Sequence, residues 1–255
     1  MLLRKGGGTI INAMAQVIEC VSLRMLAELI LSSQQKKLNS TPFICGITGA
    51  SGAGKTTLSL DLQKILQQEC RECRISVIQA DNFIYSNTTL DSHNLMHRKG
   101  FPESFDIKTF ERCLKNILDN HFPIEMPCYS QDIKDILPEK VVSIEKSHIY
   151  IIEGVNLFFK YEHFNALDYI NFCIYLDTNR ELVKARALKR FFEAYTKSKN
   201  EPTTYFEKFL GWSETDIYAY AENLWTTMDK ELFKKHIEPY QSLANLVIKS
   251  YTLRT

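Results

Sequence analysis

One short stretch combines glycines, a lysine and hydroxyl groups at a spacing that suits phosphate chemistry. Residues Gly49 to Thr56 match the pattern G-x-x-x-x-G-K-S/T. Gly52 and Gly54 let the backbone turn its N–H groups towards a polyphosphate. The Lys55 ammonium would reach the terminal phosphates, and the Thr56 hydroxyl can bind Mg²⁺. The predicted nucleotide-binding residues are Gly49, Ala50, Ser51, Gly52, Ala53, Gly54, Lys55, Thr56 and Thr57.

The sequence on either side of this loop supports that interpretation. The segment from Pro42 to Ile47 is short and apolar, which predicts a buried strand leading into the loop. After the loop, leucine and isoleucine recur at helical spacing from Leu58 to Leu66, so a helix N-terminus would point at the phosphates. A glycine-rich turn that carries a lysine by chance would not need a buried strand before it and a helix after it. The stretch therefore predicts a nucleotide site.

Two acidic residues stand at the ends of other predicted strands. Asp81 follows one buried strand, and Glu153 ends another. Because ligands of doubly wound sheets bind beyond the C-terminal strand ends, both carboxylates should face the loop. Asp81 would accept the proton of an attacking hydroxyl, and Glu153 would orient Mg²⁺-bound water. The alternatives are a turn cap beside Asn82 for Asp81 and a buried pair with Lys55 for Glu153.

Two arginines further along the chain share one face of a basic helix. Arg186 and Arg190 are four residues apart, so their side chains project in the same direction. A pair of guanidinium groups can bind a phosphoryl group during its transfer, as the lid of a phosphotransferase does. Arginines on a charged helix are more often simply solvated. Their position after the last strand-end acid favours the lid.

Composition and charge exclude several classes of protein. The 255-residue chain carries 31 Lys and Arg against 30 Asp and Glu, a net charge of +1. Such a balance gives no general field for nucleic acid or an anionic membrane. No segment has the length and apolar character of a membrane span. There is no Asn-Lys-x-Asp motif for guanine recognition and no LSGGQ-like transporter signature.

The seven cysteines are scattered. Cys45 and Cys173 fall in predicted buried strands, where cysteine behaves as a small hydrophobe. Cys70 and Cys73 have redox or metal spacing but no second pair, so a plain polar connection is the favoured interpretation. This usage indicates a reducing, cytoplasmic location.

Strands that alternate with helices predict an α/β fold, a three-layer P-loop kinase architecture with a mostly parallel, doubly wound sheet. We expect an amphipathic helix over residues 11–31, with Met14, Val17, Ile18, Val21, Met25, Leu26 and Leu29 on its apolar side. Residues 1–41 form a predicted N-terminal tail and helix, and 42–255 the kinase domain. A helical lid is expected, with a basic helix from Glu181 to Tyr195 and a mostly helical stretch from Thr203 to His236. Residues 122–138 are predicted to be a proline-broken stretch.

With these residues assembled, the chain resembles the bacterial type I pantothenate kinases, within the group that includes uridine kinase and phosphoribulokinase. The strongest similarity is the run Lys99 to Asp106, which matches that family's K-G-F-P-E-S-Y/F-D signature. Further matches are Ala80 to Phe83, Pro127 to Ser130, Ile152 to Leu157, Lys189 to Phe191, Tyr205-Phe206 and Leu224-Trp225.

The resemblance implies transfer of the ATP γ-phosphate to a primary hydroxyl, in a homodimer that depends on Mg²⁺. Asp81 would be the base, with Lys55 and Arg190 on the migrating phosphate and Thr56 and Glu153 at the metal. The implied acceptor-binding residues are Asp81, Tyr129, Gln131, Arg190, Phe191, Phe206, Phe209 and Asp229.

Three positions depart from the family pattern on the acceptor side. Gln131 stands where the family has His, Ala187 where it has Tyr, and Asp229 where it has Asn. A buried polar group left without its partner costs about 1–3 kcal/mol, so the acceptor would differ or bind weakly. The residues of the family's coenzyme A brake are also replaced, by Leu60, Gln131 and Ala194.

Three functions therefore stay open. The first is a pantothenate kinase, and the second is a kinase for another small hydroxyl compound such as uridine or cytidine. The third is an ATP-binding regulator without catalysis. Joint retention of Asp81, Glu153 and Arg190 argues against the third.

Overall fold

The computed structural model describes residues 16–37, 41–161, 163–200 and 204–252, without the side chains of Thr204, Asp229 and Thr252. Residues 1–15, which include the predicted N-terminal tail and Met14 of the predicted N-terminal helix, lie outside these ranges. The strands are β1 Gln16–Ser22, β2 Phe43–Gly49, β3 Ile75–Gln79, β4 Ile124–Ser130, β5 Asp135–Ile144, β6 Ile149–Glu153, β7 Lys160–Tyr161, β8 Phe164–Asn165, β9 Phe172–Leu176 and β10 Leu246–Thr252.

Helices connect most of these strands. The α-helices are α1 Leu23–Gln35, α2 Lys55–Glu69, α3 Asn87–Ser92, α4 Ile107–Leu118, α5 Arg180–Ser198, α6 Thr204–Glu207 and α7 Glu214–Thr227. Short 3₁₀ turns span Ala80–Phe83, Met96–Arg98, Pro102–Ser104, Ala166–Asp168 and Glu238–Leu243, and a π-helix spans Met228–Ile237. Among the described helices, none combines the length and apolar character that a membrane crossing requires.

Six strands form one central sheet in the order β1-β10-β9-β2-β6-β3. Every pairing in it is parallel. All residues of β2 and β6 are buried, as the continuous apolar runs of a sheet covered on both faces require. With helices on its two sides, the sheet confirms the predicted three-layer, doubly wound architecture. The loop after β2 lies at the edge where β3, β6 and β9 also end.

The N-terminal segment differs from the prediction. Residues 16–22 form strand β1 instead of the first half of a helix, and they pair in parallel with β10. Val17, Ile18 and Val21 are β-branched and suit a pleated edge strand, a preference that the helical spacing concealed. Helix α1 begins after Ser22, whose hydroxyl accepts a hydrogen bond from the Met25 amide at 3.2 Å.

The buried face of α1 also differs in part from the predicted stripe. Leu26 is buried, together with Leu23, Ala27 and Ile30, but Met25 is 52% exposed. These side chains belong to the same core as the sheet. The predicted boundary after residue 41 stays a prediction, although β1 shares the sheet with the rest of the described chain.

The predicted proline-broken stretch is an antiparallel hairpin of β4 and β5. Its register shifts between Pro127 and Cys128, which suits a proline because a bulge removes the need for its missing N–H. Asn82 is buried beneath the hairpin, and its Oδ1 accepts a hydrogen bond from the Tyr129 amide at 2.9 Å. The hairpin is therefore fixed to the end of β3.

The predicted helical lid is present as α5, α6 and α7. It carries a second apolar cluster, separate from the main core, around buried Phe206, Phe209 and Ile217. Lys184 on α5 forms a 2.7 Å ion pair with Glu222 on α7. The lid is thus a packed unit of its own.

The connection between α2 and β3 contains a disulfide. Cys70 and Cys73 are joined, with their Cα atoms 5.3 Å apart. Their interpretation as a plain polar connection was wrong on this point, because two cysteines three residues apart in a turn lie within bonding reach.

Candidate active site

The loop between β2 and α2 has the backbone of a phosphate cradle. Gly54, immediately before α2, has φ 104° and Gly52 has φ 93°, values in the left-handed region that only glycine adopts freely. A Cβ on Gly52 would also lie 3.1 Å from the Val183 carbonyl oxygen and 3.2 Å from Arg190 Nη2. Both the fold of the loop and its contact with the lid therefore require glycine at position 52.

Lys55 begins α2 and is buried inside the loop that precedes it. Its Nζ donates to the Ala50 carbonyl at 2.9 Å. Burial lowers the pKa of the Lys55 ammonium, whereas the carboxylates of Glu153 and Asp81 act in the opposite direction. The loop thus surrounds a buried cation, an arrangement that fits the phosphates of ATP.

Thr56 and Glu153 lie together at the same edge of the sheet. The Thr56 hydroxyl donates to Glu153 Oε1 at 2.6 Å, since β6 is the direct neighbour of β2. Burial raises the pKa of Glu153, and Lys55 opposes that rise.

A hydroxyl and a carboxylate are the oxygen ligands that Mg²⁺ prefers. This ion is usually held by one or two such groups together with phosphate oxygens and water. Among the described residues, no cluster of three or more acids, histidines or cysteines could hold a metal by itself. The pair Thr56 and Glu153 fits a magnesium ion that arrives with a nucleotide. The ion would neutralise charge on the phosphates.

Asp81 lies in the 3₁₀ turn that follows β3, two strands away from the loop. Burial raises its pKa, while Lys55 and the hydrogen bond from Gln131 act against the rise. That bond runs from Gln131 Nε2 to Asp81 Oδ2 and measures 2.7 Å. Asp81 and Lys55 are therefore close enough to influence each other's charge. The turn cap considered for Asp81 is absent, because Asn82 serves the hairpin instead.

The lid arginines lie over the loop. Arg186 Nη1 is 3.5 Å from the Gly52 carbonyl oxygen, and Arg190 Nη2 is 3.5 Å from Ser51 Oγ. Both side chains are exposed, as expected for groups that close over a ligand. Lys55 thus lies within electrostatic reach of Asp81, Glu153 and Arg190.

The aromatic residues predicted to line the acceptor site come together on the lid. Phe191 has its ring centroid 5.7 Å from that of Phe206 and 5.9 Å from that of Phe209. Tyr129 lies on strand β4 of the hairpin and packs against the main core, and burial raises its pKa. The side chain of Asp229 lies outside the described part of the chain, although its backbone belongs to the π-helix.

Two lysines that the sequence reasoning did not assign also border Asp81. Lys99 donates from Nζ to Asn87 Oδ1 and to the Lys134 carbonyl, and burial lowers its pKa to about 8. Lys134 donates to Gln131 Oε1 at 3.2 Å. Lys99 lies in the K-G-F-P-E-S run, which was a usable signal. Lys134 had none, because its position depends on a hairpin that was not predicted.

A parallel sheet with a glycine loop before α2, a lysine and an acid pair at its edge, and an arginine-bearing lid together define a P-loop kinase. The enzyme is a phosphotransferase with an alcohol group as acceptor. The chain belongs to the phosphoribulokinase / uridine kinase family, whose family model matches residues 44–198.

Curated relatives share most of the chain. The pantothenate kinase of Streptococcus mutans serotype c is 33% identical over 217 residues, which are 84% of this chain and 70% of that protein. The pantothenate kinase of Streptococcus suis is 31% identical over 216 residues, with the same coverage. Within the family, the resemblance to type I pantothenate kinases is confirmed.

Solved structures agree on the fold. A kinase assigned to a fructose transport system of Silicibacter sp. TM1040 has a TM-score of 0.65 at 20% identity, over 91% of this chain and 99% of that one. D-glycerate 3-kinase from Cryptococcus neoformans var. grubii has a TM-score of 0.53 at 16% identity, over 80% and 88%. At these identities the likeness shows the P-loop kinase fold alone.

Proposed function

We propose that the protein transfers the γ-phosphate of ATP to the primary hydroxyl of pantothenate, the first step of coenzyme A synthesis. The observation that carries the proposal is that Asp81, Lys55 and Arg190 lie within electrostatic reach of one another. Curated relatives named pantothenate kinase, at 30–33% identity over 84% of the chain, support the acceptor.

Each of these groups has a role in the proposed reaction. Asp81 takes the proton of the attacking hydroxyl, so it must be ionised. Lys55 and Arg190 lie where negative charge on the migrating phosphoryl would develop, which is the usual device of phosphoryl transfer. Thr56 and Glu153 hold Mg²⁺, and residues 49–57 bind the phosphates through backbone amides.

The acceptor side consists of Tyr129 and Gln131 on the hairpin, the lid phenylalanines Phe191, Phe206 and Phe209, and Asp229. Gln131, Ala187 and Asp229 replace polar groups of the family pattern. We therefore expect a weaker affinity for pantothenate than in a protein with the family residues. The protein would act as a cytoplasmic homodimer.

The second candidate is a kinase for a nucleoside such as uridine or cytidine. Its support is the loop sequence Gly49 to Thr56, which is more similar to uridine kinases than to pantothenate kinases, together with the altered acceptor contacts. The third is an ATP-binding regulator.

An acceptor screen separates the three. Purified protein with MgATP is assayed for ADP release with pantothenate, uridine, cytidine and simple hydroxy acids, and the product is identified by mass spectrometry. Phosphopantothenate as the main product supports the proposal, and a phosphorylated nucleoside replaces it with the second candidate. Tight ATP binding without transfer to any acceptor favours the regulator.

A further inference from the structure

Gln131 lies between the predicted base and a lysine, and the hydrogen bonds on its two sides fix how its amide is oriented. Its Nε2 donates to Asp81 Oδ2 at 2.7 Å, and its Oε1 accepts from Lys134 Nζ at 3.2 Å. An ammonium only donates and an ionised carboxylate only accepts. The amide can therefore satisfy both partners in one orientation only.

The backbone at Lys134 is held in an unfavourable conformation. Its φ of 57° is in the left-handed region, where a residue with a Cβ is rarely found. The Lys134 carbonyl accepts a hydrogen bond from Lys99 Nζ, and Asp132 at the hairpin tip forms a 2.8 Å ion pair with Lys197 of the lid helix α5. Contacts on both sides thus hold the turn that presents Lys134, and such constrained residues concentrate at functional sites.

The charges around Asp81 show why another cation matters. Six charged or titratable groups interact with Asp81. They come from the phosphate loop, strand β6, the segment between β3 and α4, the hairpin and the lid: Lys55, Glu153, Lys99, Tyr129, Lys134 and Arg190.

Lys55 and Arg190 contact the phosphate loop itself. Bound phosphates would therefore share the charge of both groups. Lys134 donates its hydrogen bond to Gln131 on the hairpin and not to the phosphate loop, so its charge would stay available to Asp81 when a nucleotide binds.

We propose that Lys134 is a positioning residue, which acts through Gln131 to orient the Asp81 carboxylate and keep it ionised for proton abstraction. The proposal rests on the function proposed above. Oδ2 of Asp81 is occupied by Gln131, so the other carboxylate oxygen is left for the acceptor hydroxyl. Because neither Gln131 nor Lys134 needs to touch the acceptor for this role, it concerns the rate more than the binding of either substrate.

Steady-state kinetics of three variants test the role of Lys134. Lys134→Met is expected to lower kcat about tenfold, a fraction of what a general base supplies, with the KM for ATP unchanged. Lys134→Arg keeps a donor cation and should recover most of the rate. Lys140→Met removes an exposed lysine of the same hairpin and is the matched control. Thermal unfolding of each variant checks that the fold is intact.

The pathway through Gln131 is tested by a double-mutant cycle. If Lys134 acts through the amide, Gln131→Ala combined with Lys134→Met is no slower than Gln131→Ala alone. If the two substitutions instead lower kcat by factors that multiply, Lys134 does not act through Gln131 and the proposal is overturned. A kcat for Lys134→Met equal to that of the wild type would remove Lys134 from the mechanism.

A measurement that needs no acceptor separates this proposal from the function itself. Carbon-13 NMR of protein labelled at the aspartate carboxyl follows the ionisation of Asp81, with Asp81→Asn assigning its resonance. Lys134→Met should move the Asp81 transition to higher pH, and Lys140→Met should leave it unchanged. An acceptor screen without any product would refute the kinase function. An Asp81 transition that stays at the same pH in Lys134→Met would refute the proposed role of Lys134.

Discussion

In the proposed function, the part of the site that would face the nucleotide is built from the sheet, whereas the part that would face the acceptor is attached to the sheet. Residues 49–57 continue a buried strand into a helix, and Glu153 ends the neighbouring strand. We call this the nucleotide side. The acceptor side consists of Asp81, the β4–β5 hairpin and the lid phenylalanines, and it joins segments far apart in the chain through side-chain contacts.

The difference in construction matches a difference in residue types. The nucleotide side keeps each residue of the phosphate-loop pattern, because binding through backbone amides and one buried cation, Lys55, leaves little freedom in residue type. The acceptor side departs from the family at Gln131 and Ala187, on exposed or half-buried surfaces. Substitutions in segments outside the sheet can thus change which acceptor is bound, while the residues for phosphate transfer stay the same.

Asp81→Ala should give the largest effect on rate alone, because in the proposed mechanism Asp81 acts on the acceptor hydroxyl and not on the nucleotide. Removing a general base typically costs 10²- to 10⁴-fold, so kcat should fall by about that factor while ATP affinity stays nearly unchanged. Stopped assays of product formation and calorimetric ATP binding measure the two quantities. Asp91→Ala, at an exposed position of α3, is the control, and unaltered turnover in Asp81→Ala would remove it from the mechanism.

Lys55→Ala should damage both quantities, since the ammonium belongs to the nucleotide side. Loss of one preorganised charge stabiliser costs roughly 10²- to 10³-fold in kcat, and ATP binding should weaken as well. Lys64, on the same helix with a side chain that is 72% exposed, provides the control Lys64→Ala. If Lys55→Ala lowers turnover and leaves ATP affinity intact, the two sides are not separated as we describe.

The contrast also explains how much the sequence reveals. The strand, loop and helix around Lys55 are adjacent in the chain, so residue types and local periodicity predict them. Asp81 and Glu153 could be placed because parallel strands end at a common edge.

The acceptor side could not be predicted in the same way. Its hairpin contains Pro127 and Pro138, which conceal the strand pattern, and its turn depends on a positive φ at Lys134. The bond between Gln131 and Asp81 joins residues 50 positions apart. Strand β1 was missed for a related reason, because its pairing with β10 connects opposite ends of the chain. Only the resemblance to known kinases indicated that the hairpin and the lid phenylalanines belong to one site.

The acid limb of the pH profile should lie above that of an ordinary aspartate. Burial raises the pKa of Asp81, and the reaction needs its ionised form, so activity falls as the pH drops through that raised value. The limb of kcat/KM for the acceptor should therefore appear above about pH 4, the range of an unperturbed carboxyl. Activity that stays constant down to pH 4 would contradict this, and circular dichroism at each pH excludes acid unfolding.

The smallest expected effect is that of coenzyme A, which should inhibit weakly or not at all. The family's brake uses an arginine, a histidine and a phenylalanine where this chain has Leu60, Gln131 and Ala194. Leu60 is 44% exposed and offers no charge to an anionic inhibitor, and Gln131 is engaged with Asp81. Initial rates are measured against coenzyme A at fixed ATP, with ADP as the positive control. Inhibition at concentrations comparable to the competing ATP would show that the protein still recognises coenzyme A. The replacements at Leu60, Gln131 and Ala194 would then not have removed inhibition by coenzyme A.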